Sequence, residues 1–303
     1  MRIAIQDSWF EKFSCVLHKH WESLGHTVLF EPGFNPNLIE TCDRVFFESA
    51  DTNIHLATQQ RPYKKGKVIL RIVDVDALVN GPAGVKSGYV DDIIYIAPHI
   101  QQFCQKFENL RTSREHLIRM GVDTDRYAFR KKPQGKKIVF IATRLTPEKG
   151  YDKALMIFQE LYKNDKSWEL HVVGRMFENN AWQLHVEHAL KPIKDGVKFY
   201  GNLPYTENTI NDFLQDKDYV LLCSMKEAFS FATAEAMSKG LKPIVYAFNG
   251  CEAIWPEWML YKTETEALAL FDTPHEPDKY RQYIVDNYGL QRYLAEMDNV
   301  VLN

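Results

Sequence analysis

Ten short apolar runs recur along the chain, each followed by a polar stretch of helical length. The first part carries "RIAIQ", "TVLFE", "RVFFES", "KVILRIV" and "DIIYIA", and the second carries "KIVFIA", "ELHVVG", "VKFYG", "YVLLCS" and "KPIVYA". Runs that are continuously apolar, rather than alternating, predict strands covered on both faces, and hence parallel sheets with crossover helices. The pattern therefore predicts an α/β chain of two doubly wound, Rossmann-like domains. A length of 303 residues supports two cores, since single cores tend to divide beyond roughly 250 residues. The polar segment "MGVDTDRYAFRKKPQGKK", broken by Pro133 and Gly135, suits the connection. It gives domains of residues 1–133 and 134–279. A last helical face at about 280–303, with Tyr280, Tyr283, Ile284, Tyr288, Leu290, Tyr293, Leu294 and Met297, is read as packing back on the first domain.

Helical spacing also marks "WFEKFSCVLHKHWESLGH", where Phe10, Phe13, Leu17, Trp21 and Leu24 share a face. Packing on the sheet is expected of it, with a membrane surface as the rival partner. No apolar stretch reaches the ~18 residues of a span, and the first residues lack the zones of a signal peptide. The expectation is a cytoplasmic protein without stable membrane insertion. Five scattered cysteines without a C-x-x-C pair argue against a disulfide framework or a zinc site. The net charge of −3 argues against a dedicated polyanion binder. A G-x-G-x-x-G fingerprint of dinucleotide oxidoreductases is absent.

Ligands of open α/β sheets bind beyond the carboxyl ends of the strands, so the loops after each run hold the candidate chemistry. After "KIVFIA" stand Arg144 and Lys149, two cations suited to a diphosphate. After "ELHVVG" come Gly174 and Arg175, and after "VKFYG" the residues Tyr200, Gly201 and Asn202 can offer backbone groups to a flat base. "EAFSFATAE" places Glu227 before a turn and Glu235 about one turn into a helix. Between them, the amides of Phe229, Ser230, Phe231 and Ala232 make a helix N-terminus, which favours an anion. Carboxylates on either side can accept hydrogen bonds from the paired hydroxyls of a ribose or hexose. Such a set describes a sugar nucleotide.

In order and spacing, "ATRLTPEKG", "HVVG", "VKFYG", "EAFSFATAEAMSKGLKPIV" and "FNGCEAI" resemble the motifs of the family 4 glycosyltransferases of GT-B architecture. "MGVDTDRYAF" is similar to that family's "NGVD..rF", with Met120 in place of Asn. The resemblance covers roughly residues 118–255. It implies two domains facing a central cleft, a nucleoside-diphosphate sugar as donor, retention of anomeric configuration, and no obligatory metal or other cofactor. Arg144 and Lys149 would hold the diphosphate, Glu235 the ribose and Glu227 the donor sugar, with Asn249, Gly250 and Glu252 in the same cleft.

The first half departs from the pattern. The loop after its first strand, "QDSWFEKFSC", has no glycine, and Val73 stands where the family has a histidine, leaving Asp74 and Asp76 as the nearest polar groups. His99 is the rival candidate for acceptor contact. The acceptor is an unidentified hydroxyl of a saccharide or glycoconjugate. Two alternatives stay open: a glycosyltransferase for a modified nucleic-acid base, so that nucleic acid enters only as acceptor, and a catalytically silent sugar-nucleotide-binding protein.

Overall fold

The computed structural model describes residues 1–8, 14–60, 64–130, 133, 135–204 and 209–303, without the side chains of 74 and 75. All ten predicted runs are strands: β1 (Arg2–Gln6), β2 (Thr27–Glu31), β3 (Arg44–Phe47), β4 (Lys67–Ile72) and β5 (Asp92–Tyr95), then β7 (Lys137–Leu145), β8 (Glu169–Met176), β9 (Val197–Phe199), β10 (Tyr219–Leu222) and β11 (Lys242–Tyr246). Two more, β6 (Arg114–Leu117) and β12 (Leu260–Tyr261), complete the sheets at their edges. Their sequences hid them for a physical reason. An edge strand needs no cover on both faces, so β6 reads "REHL" and is largely exposed, while β12 has only two residues.

Every strand pair is parallel, and the orders are β2-β1-β3-β4-β5-β6 and β12-β11-β10-β7-β8-β9. The first is the flavodoxin-like order with an added strand and the second the Rossmann order. Each sheet therefore has a switch point where successive crossovers leave in opposite directions: between β1 and β3 in one, and between β7 and β10 in the other.

The chain divides into two units, Met1–Gly121 with Leu290–Asn303, and Val122–Gly289. The first division lies before Pro133 because the intervening segment is bound to the second unit: Val122 N–H donates to Tyr288 O at 2.7 Å and Arg130 N–H to Lys239 O at 2.9 Å. The expected terminal face is two helices, Pro277–Tyr288 in the second unit and Leu290–Val301 in the first, parted at Gly289. Tyr280, Tyr283, Ile284 and Tyr288 therefore pack apart from Leu290, Tyr293, Leu294 and Met297.

In the first unit, Ile3, Ile5, Phe46, Ile69 and Ile94 form a core with Tyr293, Leu294, Met297 and Val301. Leu17 and Trp21 of the helix Cys15–Ser23 are fully buried in it, so this part of the amphipathic face packs on the sheet. Trp21 Nε1 donates to Asp298 Oδ1 at 2.9 Å. Leu24 lies beyond the helix and is half exposed, while Phe10 and Phe13 fall outside the described residues. A buried Arg71 of β4 grips Glu48 through Nε at 2.8 Å and through its second amino group, and donates to the Tyr293 hydroxyl. Burial raises the Glu48 carboxyl to about 7 against the pull of Arg71. The second core gathers Ile138, Phe140, Leu155, Phe158, Leu170, Val172, Leu221 and Ile244 around its own sheet. Among the described residues no helix is long and apolar enough to cross a membrane. All five cysteines are free.

Candidate active site

The second switch point puts the carboxyl ends of β7 and β10 side by side. After β7, Thr146 caps a short 3-10 turn, Pro147–Lys149, by accepting from Lys149 N, with Pro147 at the first position, where a missing N–H costs nothing. The turn ends on Gly150 at φ +70°, and a Cβ there would lie 2.2 Å from Cys223 O, just beyond β10. Only glycine allows this close crossing. Met225 N–H donates to Glu148 O at 2.9 Å, tying the two loops together. The result is a direct pair: Lys149 Nζ stands 2.7 Å from Glu227 Oε1. Lys149 is 28% exposed and Glu227 14%, so the pair is held by the scaffold yet open on one side.

Two residues after Glu227, Phe229 stacks on the buried Trp255 with ring centroids 5.7 Å apart, and it meets Phe231 edge-on at 5.1 Å. This aromatic packing fixes the turn into the helix Phe231–Ser238. Ser230 is its N-cap and accepts from Thr233 N. Phe231 and Ala232 are half-buried at its start, and Glu235 is half-buried further along. The Tyr127 hydroxyl donates to the Glu235 carboxylate, and burial followed by this carboxylate raises the phenol's pKa.

Arg144 and Arg175 are register partners at the ends of β7 and β8, and both are exposed. Arg175 stands 4.0 Å from Glu178. Gly174, at φ +144°, has no room for a side chain, because a Cβ would sit 2.3 Å from Ala142 O. Its N–H donates to Gly201 O at 2.8 Å, so the loop after β9 is tied to the end of β8. Asn202 is exposed beside them. The Tyr200 side chain turns back onto the sheet, with its hydroxyl 2.8 Å from His171 Nδ1 and its ring stacked on the imidazole. Burial, reinforced by Lys217, lowers the His171 pKa to about 4. Asn249 and Glu252 are exposed around the short turn that Gly250 opens.

The structure thus brings Lys149, Glu227 and the capped helix start together in one unit, with Glu235 further along that helix. The other two candidates belong to the first unit. His99 is half-buried in the first turn of the helix Pro98–Cys104, where Ala97 is the N-cap. Asp74 opens the short helix Asp74–Leu78, and its side chain lies outside the described residues. Asp76 does not face a ligand: it is buried, and accepts from Ser49 Oγ at 2.5 Å, Ala50 N at 3.0 Å and Val73 N at 3.1 Å. No group of three or more His, Cys, Asp or Glu gathers in a metal-binding arrangement among the described residues. Sequence reasoning missed Tyr127, Trp255 and His171 as supports of these loops. Thr146-Pro147 was the one local signal, a cap followed by a first-turn proline.

Residues 123–259 match the family model of the glycosyl transferases group 1. The match lies within the second unit and makes that stretch, a little under half of the chain, similar to the group 1 glycosyl transferases. A GDP-mannose:cellobiosyl-diphosphopolyprenol alpha-mannosyltransferase of Xanthomonas oryzae pv. oryzae (strain PXO99A) is 28% identical over 138 residues, 46% of this chain and 36% of that protein. This match therefore spans about a third of the relative's length. In fold, the chain is similar over 99% of its length to sucrose-phosphate synthase from Thermosynechococcus elongatus, with TM-score 0.77, 13% identity and 97% of that chain covered. Anabaena HepE in complex with UDP-glucose gives TM-score 0.75 at 13% identity, over 99% of this chain and 100% of the other. In fold, the chain accordingly shares the GT-B architecture, with two parallel-sheet units, of these solved structures.

Proposed function

We propose that this chain moves a hexosyl group from a nucleoside-diphosphate sugar to an acceptor hydroxyl, with retention at the anomeric carbon, in the cytoplasm and without an obligatory metal. The observation that carries this is the Lys149–Glu227 pair, 2.7 Å apart at the carboxyl edge of the switch strands and followed at once by the helix start at Ser230. Arg144 and Lys149 bind the diphosphate, and the amides of Phe229 to Ala232 add fixed donors. Glu227 takes hydroxyls of the donor sugar and Glu235 those of the ribose, while Gly174, Arg175, Tyr200, Gly201 and Asn202 border the base. As the bond between the anomeric carbon and the diphosphate oxygen breaks, negative charge grows on the leaving group, and these cations and amides stabilise it. The acceptor oxygen bonds to that carbon on the same face, and its proton passes to a diphosphate oxygen. The acceptor is assigned to the first unit, with His99 and Asp74 as its candidate contacts.

The name of the Xanthomonas relative makes GDP-mannose the first donor to try, and the HepE complex makes UDP-glucose the second. A thermal-shift panel of GDP-mannose, UDP-glucose, GDP, UDP and ADP tests the proposal. A ligand at a hundred times its Kd adds about 2.7 kcal/mol to the folded form, so one base should raise Tm clearly above the others. No shift with any of the five would sink the donor site. Release of free sugar from the bound donor without acceptor then separates an enzyme from a silent binder.

A further inference from the structure

Tyr127 stands in the segment that joins the second unit to the rest of the chain, within the "MGVDTDRYAF" stretch. It is 3% exposed. Its main chain is clamped from two sides: Arg281, on the helix Pro277–Tyr288, donates to Tyr127 O at 2.9 Å, to Ser238 O at 2.6 Å and to Thr124 O at 3.0 Å. Ser238 is the last residue of the helix that carries Glu235. One guanidinium therefore locks the Tyr127 backbone to the end of that helix, and the Tyr127 phenol reaches the Glu235 carboxylate from the same anchorage. Glu235 is half-buried. A carboxylate has about four lone-pair directions, enough to take a phenol and two hydroxyls together. In the "NGVD..rF" pattern the aromatic position carries phenylalanine; here it carries Tyr127, and the hydroxyl is the added atom.

We infer that Tyr127 is a positioning residue: its hydroxyl, held by the Arg281 clamp, fixes the Glu235 carboxylate in the orientation that accepts the two ribose hydroxyls of the donor. This rests on the donor site proposed above. Selection for ribose then depends on a group that never touches the nucleotide.

Isothermal titration with the nucleoside diphosphate that the wild type binds, and with its 2′,3′-dideoxy counterpart, separates the cases. Tyr127→Phe should weaken the ribonucleotide by about tenfold to a hundredfold, the range of a hydrogen bond to a charged group, and leave the dideoxy compound unchanged. In Tyr127→Phe with Glu235→Gln the loss should be no larger than in Glu235→Gln alone. Glu235→Asp, which keeps the phenol and draws the carboxylate back, should lose the same ribose preference with Tm unchanged. Equal weakening of both nucleotides by Tyr127→Phe, or no weakening of either, overturns the positioning role while the donor site stands. A wild type that binds ribo and dideoxy forms alike, with Glu235→Gln no different, overturns the donor assignment of Glu235 itself and this inference with it.

Discussion

Both units place a strand end, a turn and a helix at a switch point, yet the side chains there have opposite fates. In the first unit Glu48, just beyond β3, is closed off by the fully buried Arg71. The next helix, Thr52–Gln60, begins against a carboxylate of its own: Asp51 Oδ1 accepts from Asn53 N at 2.8 Å. In the second unit the cation Lys149 is more than a quarter exposed and the corresponding helix, Phe231–Ser238, is capped by the neutral Ser230. Parallel topology creates the crevice in each case. Whether the crevice remains available to an anion depends on how deep its cation lies and whether the helix start is already neutralised.

The largest expected effect tests the closed side. Arg71→Met leaves Glu48 buried without its partner and should cost about 3–5 kcal/mol of stability, seen as a large fall in Tm of the first unit. Lys149→Ala should do the reverse. Its Tm should stay near that of the wild type, while turnover falls by roughly a hundredfold to a thousandfold, the cost of removing one donor from a developing oxyanion. A Lys149→Ala variant as unstable as Arg71→Met, or as active as the wild type, would erase the contrast between scaffold cation and ligand cation.

The next effect is in pH. Burial moves Glu48 up to about 7 and His171 down to about 4, so each is favoured in its neutral form. The folded state holds the extra proton at Glu48 between its ordinary value of 4.5 and 7, so that contribution is lost as pH rises through this window. At His171 the unfolded state holds the extra proton between 4 and 6.5, so that contribution is present above 6.5 and lost as pH falls toward 4. The two slopes oppose each other across the shared range. His171→Asn removes one of them and keeps a polar atom facing the Tyr200 hydroxyl. Relative to wild type, the variant should gain about 2–3 kcal/mol between pH 7.5 and 4.5, measured by denaturation at both values. A constant difference would show that His171 titrates normally.

Much of the fold was legible because a parallel sheet writes itself as continuous apolar runs: all ten runs became strands, and only the one-sided edges β6 and β12 were silent. The site was legible where one residue type is the only solution. Gly150 must be glycine because the Cys223 carbonyl is in the way, and it fixes the neighbouring Lys149. Long-range contacts left no local mark. Nothing near Tyr127 in the sequence announces a bond to Glu235, nothing near Trp255 announces the stack beneath Phe229, and the "KVILRIV" run conceals a buried arginine at Arg71. The terminal face failed as one unit for a similar reason: helical periodicity continues across Gly289 while the two helices pack in different cores.

The smallest expected effect sharpens the difference between the two helix starts. Asp and Ser cap helices about equally, so Ser230→Asp should stay within about 1 kcal/mol of wild-type stability. It would nevertheless place a fixed negative charge where the diphosphate is proposed to sit, making the second switch point resemble the first. An anion near a helix N-terminus gains about 0.3–1 kcal/mol, and up to ~2 where partly buried. Losing that gain to a competing carboxylate should weaken nucleoside-diphosphate binding by roughly threefold to tenfold, with the dependence on salt reduced as well. The reciprocal change, Asp51→Ser, removes a charge from a helix start beside Ser8, whose hydroxyl donates to Asp51 Oδ2 at 2.5 Å. It should leave nucleotide affinity untouched. Equal affinities across wild type and Ser230→Asp would mean that the helix start contributes nothing to anion binding, and that Arg144 and Lys149 carry the diphosphate without it.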